Sequence, residues 1–112
     1  MNGPVKMLVV FVNEVDRIGE EPLYEVLMRR LRKREVAGAT ALHGVMGFGQ
    51  HHRMHHKGLF GIADDRPITI TVVDNESHIR ALVPELRSLV PSAPMLILDA
   101  EWIAPSPPPP AH

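Results

Sequence analysis

The sequence predicts an α+β domain in which two helices cover one face of a four-stranded antiparallel sheet. The length of 112 residues suits one domain of this kind. Four short segments are rich in β-branched and aliphatic residues, and two segments repeat apolar residues at helical spacing. In chain order these elements read β-α-β-β-α-β, which is the order of the ferredoxin-like split unit.

The four predicted strands are short apolar segments bounded by polar or turn-forming residues. They cover residues 6–12, 39–46, 67–74 and 95–103, with an interruption expected at Asp99. The first strand is apolar at both odd and even positions, so it contributes apolar side chains to both faces of the sheet. Two helices can cover only one face. We therefore expect another copy of the chain to cover the opposite face.

Each predicted helix carries one apolar stripe. The first begins at Pro22, after two carboxylates, and is expected to end at Gly38. The second is capped by Asp74 or Asn75 and contains Pro84. A proline inside a helix removes one backbone hydrogen bond and clashes with the preceding turn, so we expect a kink or two short helices.

The composition excludes several classes of function. Twelve Lys and Arg against 13 Asp and Glu give a net charge of −1, which is not that of a basic nucleic-acid binder. The absence of cysteine excludes disulfides and thiolate chemistry, and no catalytic set emerges, so we do not expect an enzyme. The longest strongly apolar run near the start is too short for a membrane span or a secretory signal. We expect a cytoplasmic protein.

The connection at residues 47–66 lacks core periodicity, and connections of this length inside a compact domain are often functional. It begins with Gly47 and Gly49, which can bring backbone amides close to an anion or simply form a turn. Residues 105–112 are rich in proline and predict an extended, disordered tail. The folded domain is therefore expected at residues 1–104.

Four histidines cluster in this connection, at His51, His52, His55 and His56. In a helical turn they would form two i, i+4 pairs, and each pair could bind one metal ion. Zinc usually needs a third ligand, and the nearest carboxylates are distant in sequence. A metal-responsive protein is one interpretation of the cluster, and an exposed, partly cationic loop is the other.

Several motifs occur together in a characteristic order. The stretch GATALHGVMGFG at residues 38–49 is followed by RMH at 53–55, DRPI at 65–68 and VVD at 72–74. The motifs PLY at 22–24 and LVP at 82–84 flank them. In these motifs the chain resembles the PII-like bacterial proteins grouped as domain-of-unknown-function family 190 (DUF190). The resemblance extends over residues 5–103.

This resemblance implies a PII-like subunit of a homotrimer, with residues 47–66 in place of the mobile T-loop that contacts target proteins. It also implies an adenine-nucleotide site between subunits, to which Gly47, Phe48, Gly49 and Gln50 contribute. Arg53 and His55 are further candidate ligand-binding residues, because both can donate hydrogen bonds to a phosphate. The implied partners are other copies of the chain, a small-molecule effector and a protein target such as a membrane transporter.

Two departures from the PII pattern bear on the ligand. His51 stands where PII proteins have a glutamine that helps to hold Mg-ATP, and residues 90–94 contain neither the glycine nor the lysine of the PII phosphate loop. A nucleotide with fewer phosphates, or another small ligand, is therefore easier to accommodate. The leading hypothesis is a regulatory protein that binds a small ligand at subunit clefts and reports it by ordering residues 47–66. Metal binding by the histidines is the alternative.

Overall fold

The structure is a computed structural model that describes residues 2–49, 54–56, 65–107 and 110. The described strands are β1 (Gly3–Asn13), β2 (Arg17–Ile18), β3 (Glu21–Pro22), β4 (Gly38–His43), β5 (Met46–Gly47), β6 (His55–His56), β7 (Pro67–Asp74) and β8 (Met95–Trp102). The helices are α1 (Leu23–Lys33) and α2 (Glu76–Leu89). In the main sheet the strand order is β4-β7-β1-β8 with every neighbouring pair antiparallel, so the predicted α+β ferredoxin-like class is confirmed.

The core lies between the two helices and one face of the sheet. Alternate residues of β1 and β7 point to this face because side chains along a strand alternate between its two sides. The helices add leucines and an isoleucine at helical spacing. The buried set includes Leu8, Val10, Ile68, Ile70, Val72, Leu27, Leu31, Ile79, Leu82 and Leu86.

The helices differ from the prediction at two places. The first helix ends at Lys33 and not at Gly38, because Glu35 adopts a left-handed backbone with φ of 55°. The second is one continuous helix, so the alternative of two short helices is wrong. Pro84 lies on its exposed side, and Leu82 and Leu86 are both buried, so packing against the sheet holds the helix together across the missing hydrogen bond.

Two strands also differ from the prediction. The expected second strand, 39–46, ends at His43, because the Gly44 N–H donates to the Pro67 carbonyl oxygen and the chain turns there. The last strand passes through Asp99 without interruption, since Asp99 is paired in register with Lys6 of β1 and forms an ion pair with it. The interruption expected at Asp99 is therefore wrong.

Two carboxylates hold the helices in place, one between α2 and the segment before β4 and the other between α2 and the end of α1. Asp74 is buried and accepts hydrogen bonds from the Ala37 N–H at 3.0 Å and from the His78 Nδ1 at 2.7 Å. Glu85 of α2 accepts from Arg34 Nε at 2.9 Å and Arg30 Nη1 at 2.7 Å, both at the end of α1. These hydrogen bonds, from Arg34 first and then Arg30, hold the pKa of Glu85 below its ordinary value.

The sheet face opposite the helices, here called the open face, is apolar as predicted. Residues opposite each other in the register share a face, which places Leu96 beside Val9 and Leu98 beside Met7. Phe11 is 38% exposed, whereas Leu96 and Leu98 are 52% and 44% exposed. Large apolar side chains that lie next to each other at a surface are typical of an interaction site.

Among the described residues, neither helix combines the length and the apolar character needed to cross a bilayer. In the predicted tail, residues 105–107 and 110 are exposed and belong to no helix or strand. The boundary between a folded domain and a disordered tail stays a prediction.

Candidate functional site

A cleft of about 1040 Å³ lies at one end of the main sheet, where β1 ends and β7 begins. Its first wall consists of residues 44 and 46–49, and its second wall is residues 89–94, between α2 and β8. Phe11 and Thr69 line it between the two walls. The cleft thus joins the predicted Gly47–Gly49 turn to the segment that was compared with the PII phosphate loop.

The first wall packs directly against the start of β7. The Gly44 N–H donates to the Pro67 carbonyl oxygen at 2.7 Å, and a Cβ atom at position 44 would lie 2.7 Å from Pro67 Cγ. At Gly47 the same atom would lie 3.4 Å from Pro67 Cγ, and at Gly49 it would meet nothing within 4 Å. Glycine is therefore required at 44 for this close approach.

Of the predicted ligand-binding residues, Gly47, Phe48 and Gly49 all line the cleft. The Phe48 side chain is 62% exposed and so presents an aromatic surface there. The backbone of His55 pairs with that of Gly47 in the β5–β6 ladder, which brings this position to the first wall. Gln50 and Arg53 lie outside the described residues.

The histidine cluster is only partly described. His51 and His52 lie outside the described residues, while His55 and His56 form β6. Because β6 is a strand, the helical turn that i, i+4 metal binding requires does not extend over these two positions. No group of three or more metal-ligating side chains occurs within the described ranges. Metal binding by the cluster stays a prediction.

The second wall is held by a residue that the sequence analysis did not select. Arg87, in the last turn of α2, uses its Nη1 to donate to the carbonyl oxygens of Val90 at 3.1 Å, Pro91 at 3.2 Å and Ala93 at 2.6 Å. A further backbone bond, from the Phe11 N–H to the Pro94 carbonyl oxygen at 3.1 Å, attaches this wall to β1. The only signal in the sequence is a basic residue near a helix C-terminus, which is common.

The cleft carries little net charge in the part of the chain that the structure describes. Its charged lining residues there are Asp16 and Arg17. Asp16 accepts a hydrogen bond from the Asn13 N–H, and Arg17 donates to the Glu20 carbonyl oxygen, each at 2.9 Å. One cation beside one carboxylate cannot neutralise a polyphosphate. The remaining polar lining, including Thr69 and Ser92, suits a ligand with few charges.

The end of the 47–66 connection is tied to the residue that follows β1, and that residue also contacts the end of β4. The Glu14 N–H donates to the Arg66 carbonyl oxygen at 2.9 Å, and Glu14 Oε1 lies 3.3 Å from His43 Nε2. The Tyr24 ring meets the His43 ring edge-on, with centroids 6.3 Å apart. These contacts hold Arg66, the last residue of the connection, beside Glu14, and they hold Glu14 beside the end of β4.

The fold is that of a PII-like protein. The structure is similar to that of CPII, a nitrogen regulatory PII-like protein from Thiomonas intermedia K12. The two chains superpose with a TM-score of 0.66 at 21% sequence identity, over 88% of each chain. That structure of CPII was solved bound to ADP, AMP and bicarbonate. The model of family DUF190, described as "Uncharacterized ACR", matches residues 5–102, and the chain belongs to this family. Its relatives include UPF0166 proteins of Aquifex aeolicus, 26% identical over 73% of this chain and 78% of the relative, and of Methanocaldococcus jannaschii, 26% identical over 83% and 85%.

Proposed function

We propose that the protein is a PII-like regulatory protein that binds an adenine nucleotide in the cleft and reports it to a protein target through residues 47–66. The observation that carries the proposal is the cleft itself, which joins the Gly47–Gly49 turn to residues 89–94. CPII, which shares the fold, was crystallised with ADP and AMP. The target is a membrane transporter or another protein, and the cytoplasm is the predicted location.

The proposed assembly is a homotrimer, as the resemblance to PII-like proteins implies. Support comes from the open face, where Leu42 is 57% exposed and Leu96 is 52% exposed. Burying a leucine side chain fully contributes about 1.5 to 3 kcal/mol, so covering several half-exposed ones favours association. Phe11 belongs to the open face and also lines the cleft, so a subunit that covers this face would approach the bound ligand.

The proposed signal is a change in the conformation of residues 47–66. Gly47 and Phe48 belong both to the first wall of the cleft and to the start of this connection. A ligand shifts a conformational equilibrium only by its difference in affinity between the two states. A nucleotide in contact with Phe48 would favour the conformation in which the phenyl ring is placed against it, and the rest of the connection would follow.

The lining favours a nucleotide with one or two phosphates over ATP. Arg17 is the cation of the described lining, and its guanidinium already binds the Glu20 carbonyl oxygen. Each additional phosphate adds negative charge that needs a cation or several hydrogen-bond donors. We therefore expect AMP or ADP to bind more tightly than ATP in the absence of a partner protein.

Isothermal titration calorimetry on the full chain tests this proposal. AMP, ADP, ATP and cyclic AMP are titrated into the wild type, into Phe48→Ala and into Val45→Ala. Val45 is the matched control, because it is a neighbouring apolar residue, 84% exposed, that does not line the cleft. We expect AMP or ADP to bind about tenfold more weakly to Phe48→Ala, because one aromatic stacking contact is lost. The affinity of Val45→Ala should stay within about twofold of the wild type.

No measurable heat with any nucleotide at several temperatures would refute nucleotide binding. Equal affinities in Phe48→Ala and the wild type would refute the placement of the nucleotide against the first wall. Native mass spectrometry of the same sample tests the trimer, because it reports the number of subunits directly.

A further inference from the structure

A second hollow, here called the helix groove, has a volume of about 460 Å³ and lies between the end of α1 and α2. Its lining combines an apolar floor with polar side chains and consists of Ala81, Leu82, Pro84, Arg34, His78 and Glu85. It shares no lining residue with the cleft. The helix groove belongs to the helix layer, on the other side of the sheet from the open face, so a subunit that covers the open face does not occupy it.

The guanidinium of Arg34 keeps hydrogen-bond donors available beside this groove. Its Nε and Nη2 each donate to the Glu85 carboxylate at 2.9 Å, whereas its Nη1 has no hydrogen-bond partner among the described residues. The two bonds to Glu85 fix the orientation of the planar guanidinium and leave Nη1 for a second acceptor. The Arg34 side chain is 54% exposed, so a ligand in the groove can reach it.

The surroundings of the helix groove are positively charged. Four basic residues lie there against two carboxylates: Arg30, Arg32, Lys33 and Arg34 against Glu35 and Glu85. Glu85 is shared between Arg30 and Arg34, and Arg32 and Lys33 make no ion pair within the part of the chain that the structure describes. A helix C-terminus attracts basic residues, but its partial charge of about half an elementary charge does not balance this surplus. The groove is therefore suited to a negatively charged group.

The helix groove also offers hydrogen-bond acceptors, which a simple anion cannot use. The Asp74 carboxylate accepts from His78 Nδ1, so the Nε2 of the neutral His78 ring is itself an acceptor. Pro84 has no N–H, so the Arg80 carbonyl oxygen lacks its helical donor and lies next to the proline ring. A ligand that satisfies this lining carries a negative charge together with N–H donors. A peptide with an acidic side chain has both.

The floor of the helix groove favours a peptide over a small molecule. Leu82 is buried, but Ala81 and Pro84 are exposed, so a group bound there stays partly in contact with water. Sites for small molecules usually bury most of the ligand surface. An apolar side chain laid across Ala81 and Pro84 would remove apolar surface from water on both partners, which favours binding.

We propose that the helix groove is a docking site for an acidic segment of a partner protein, in which Arg34 binds a carboxylate and the floor contacts a neighbouring apolar side chain. The inference goes beyond the proposed function, because it requires neither a nucleotide nor the connection at residues 47–66.

Fluorescence anisotropy with synthetic peptides tests this inference on the full chain. The probe is a labelled peptide of repeated Leu-Glu-Glu, one control peptide has glutamine in place of glutamate, and a second has serine in place of leucine. We expect the probe to bind and each control to bind at least about tenfold more weakly, because the first control loses the charge-assisted hydrogen bond and the second loses the apolar contact. Displacement of the probe by free glutamate or inorganic phosphate at concentrations near the Kd of the probe would show a site for small anions and overturn the peptide assignment.

Two pairs of variants locate the binding site. Arg34→Gln should weaken the probe at least about tenfold, whereas Arg29→Gln removes the same charge from α1 at a residue that pairs with Glu21 outside the groove and should stay within about twofold. Ala81→Glu should also weaken the probe at least about tenfold, because its carboxylate competes for Arg34. Ser88→Glu, at an exposed position of the same helix outside the groove, should stay within about twofold. Melting curves show that each variant folds.

Equal weakening in Arg34→Gln and Arg29→Gln would reduce the binding to general charge attraction and overturn the site. A wild type to which the probe does not bind at low salt would overturn it as well. If Arg34→Gln does not fold, the comparison of Ala81→Glu with Ser88→Glu decides. AMP should leave the affinity for the probe unchanged, and displacement of the probe by AMP would place it in the cleft and refute the inference. Because the groove and the cleft share no residue, a failure of nucleotide binding would refute the proposed function and leave this inference standing.

Discussion

The glycine at position 44 offers a direct test of how the first wall is built. A Cβ atom there would lie 2.7 Å from Pro67 Cγ, closer than non-bonded carbon atoms approach. The Pro67 ring has no rotatable side chain that could swing away, and the hydrogen bond between the Gly44 N–H and the Pro67 carbonyl oxygen holds the two residues together. Gly44→Ala must therefore move the first wall of the cleft away from the start of β7.

The expected cost follows from overpacking. Forcing a methyl group into an occupied position typically costs about 1 to 3 kcal/mol of unfolding free energy. Gly38→Ala is the matched control, because a Cβ atom at 38 meets nothing within 4 Å and the backbone there is not left-handed. That control should be neutral or stabilising by up to about 1 kcal/mol, through the lower entropy of the unfolded chain.

Urea denaturation at one fixed protein concentration measures both variants, since the stability of an assembling protein depends on concentration. Gly44→Ala should show a lower midpoint with an unchanged slope, and Gly47→Ala, at 3.4 Å from Pro67 Cγ, should fall between Gly44→Ala and Gly38→Ala. If Gly44→Ala were as stable as Gly38→Ala, the close packing of the first wall on Pro67 would be refuted.

Three further predictions concern the open face and the two anchoring carboxylates. Leu98→Glu should convert the assembly to monomers in native mass spectrometry, because it places a charge on the open face. The control Val45→Glu should leave the number of subunits unchanged. An intact Leu98→Glu assembly would contradict the proposed interface. The pKa of Glu85 in the folded state lies below its ordinary value, so the stabilisation from Glu85 is fully present above the ordinary pKa and is lost as the pH falls through the folded-state pKa. Urea midpoints of the wild type and Glu85→Gln should therefore differ at neutral pH and converge in acid. A difference that stays constant with pH would contradict this prediction. Asp74→Asn should lower the unfolding free energy by about 1 to 3 kcal/mol in urea denaturation, since an amide NH2 would face the groups that now donate hydrogen bonds to the buried carboxylate. Wild-type stability in this variant would show that the hydrogen bonds to Asp74 contribute little.

The sequence predicted the type of an element correctly where the spacing of its apolar residues is compatible with only one secondary structure. Alternation in β7 and helical spacing in α2 predicted both elements, because burial of one face determines each period. Element ends were less predictable. Glu35 has φ of 55° in the turn after α1, and glutamate is not a residue type that signals a left-handed backbone. The Ala37 N–H donates to the buried Asp74 carboxylate, which is distant in sequence, so this contact could not be predicted from the local pattern either.

The candidate site divides in the same way. Gly47 and Gly49 could be selected from their spacing at the start of the long connection, and Phe48 could be selected from the resemblance to PII-like proteins. Arg87 could not, since its importance comes from three carbonyl oxygens whose positions depend on the path of residues 90–94 after α2. The resemblance to PII-like proteins indicated that this segment matters but carried no information on how a chain without glycine or lysine is organised there.

The position of the cleft relates assembly to ligand binding. Phe11 and Thr69 face each other across β1 and β7 on the open face, and both also line the cleft. Their neighbours Val12 and Ile68 belong to the helix-covered face and line the cleft as well, so the cleft reaches around the end of the sheet to both faces. In the proposed trimer, a subunit that covers the open face would therefore also restrict the cleft on that side. Ligand binding and subunit association would then be thermodynamically coupled. For a nucleotide that binds only the assembled state, a concentration of 100 times its Kd would stabilise that state by about 2.7 kcal/mol per site.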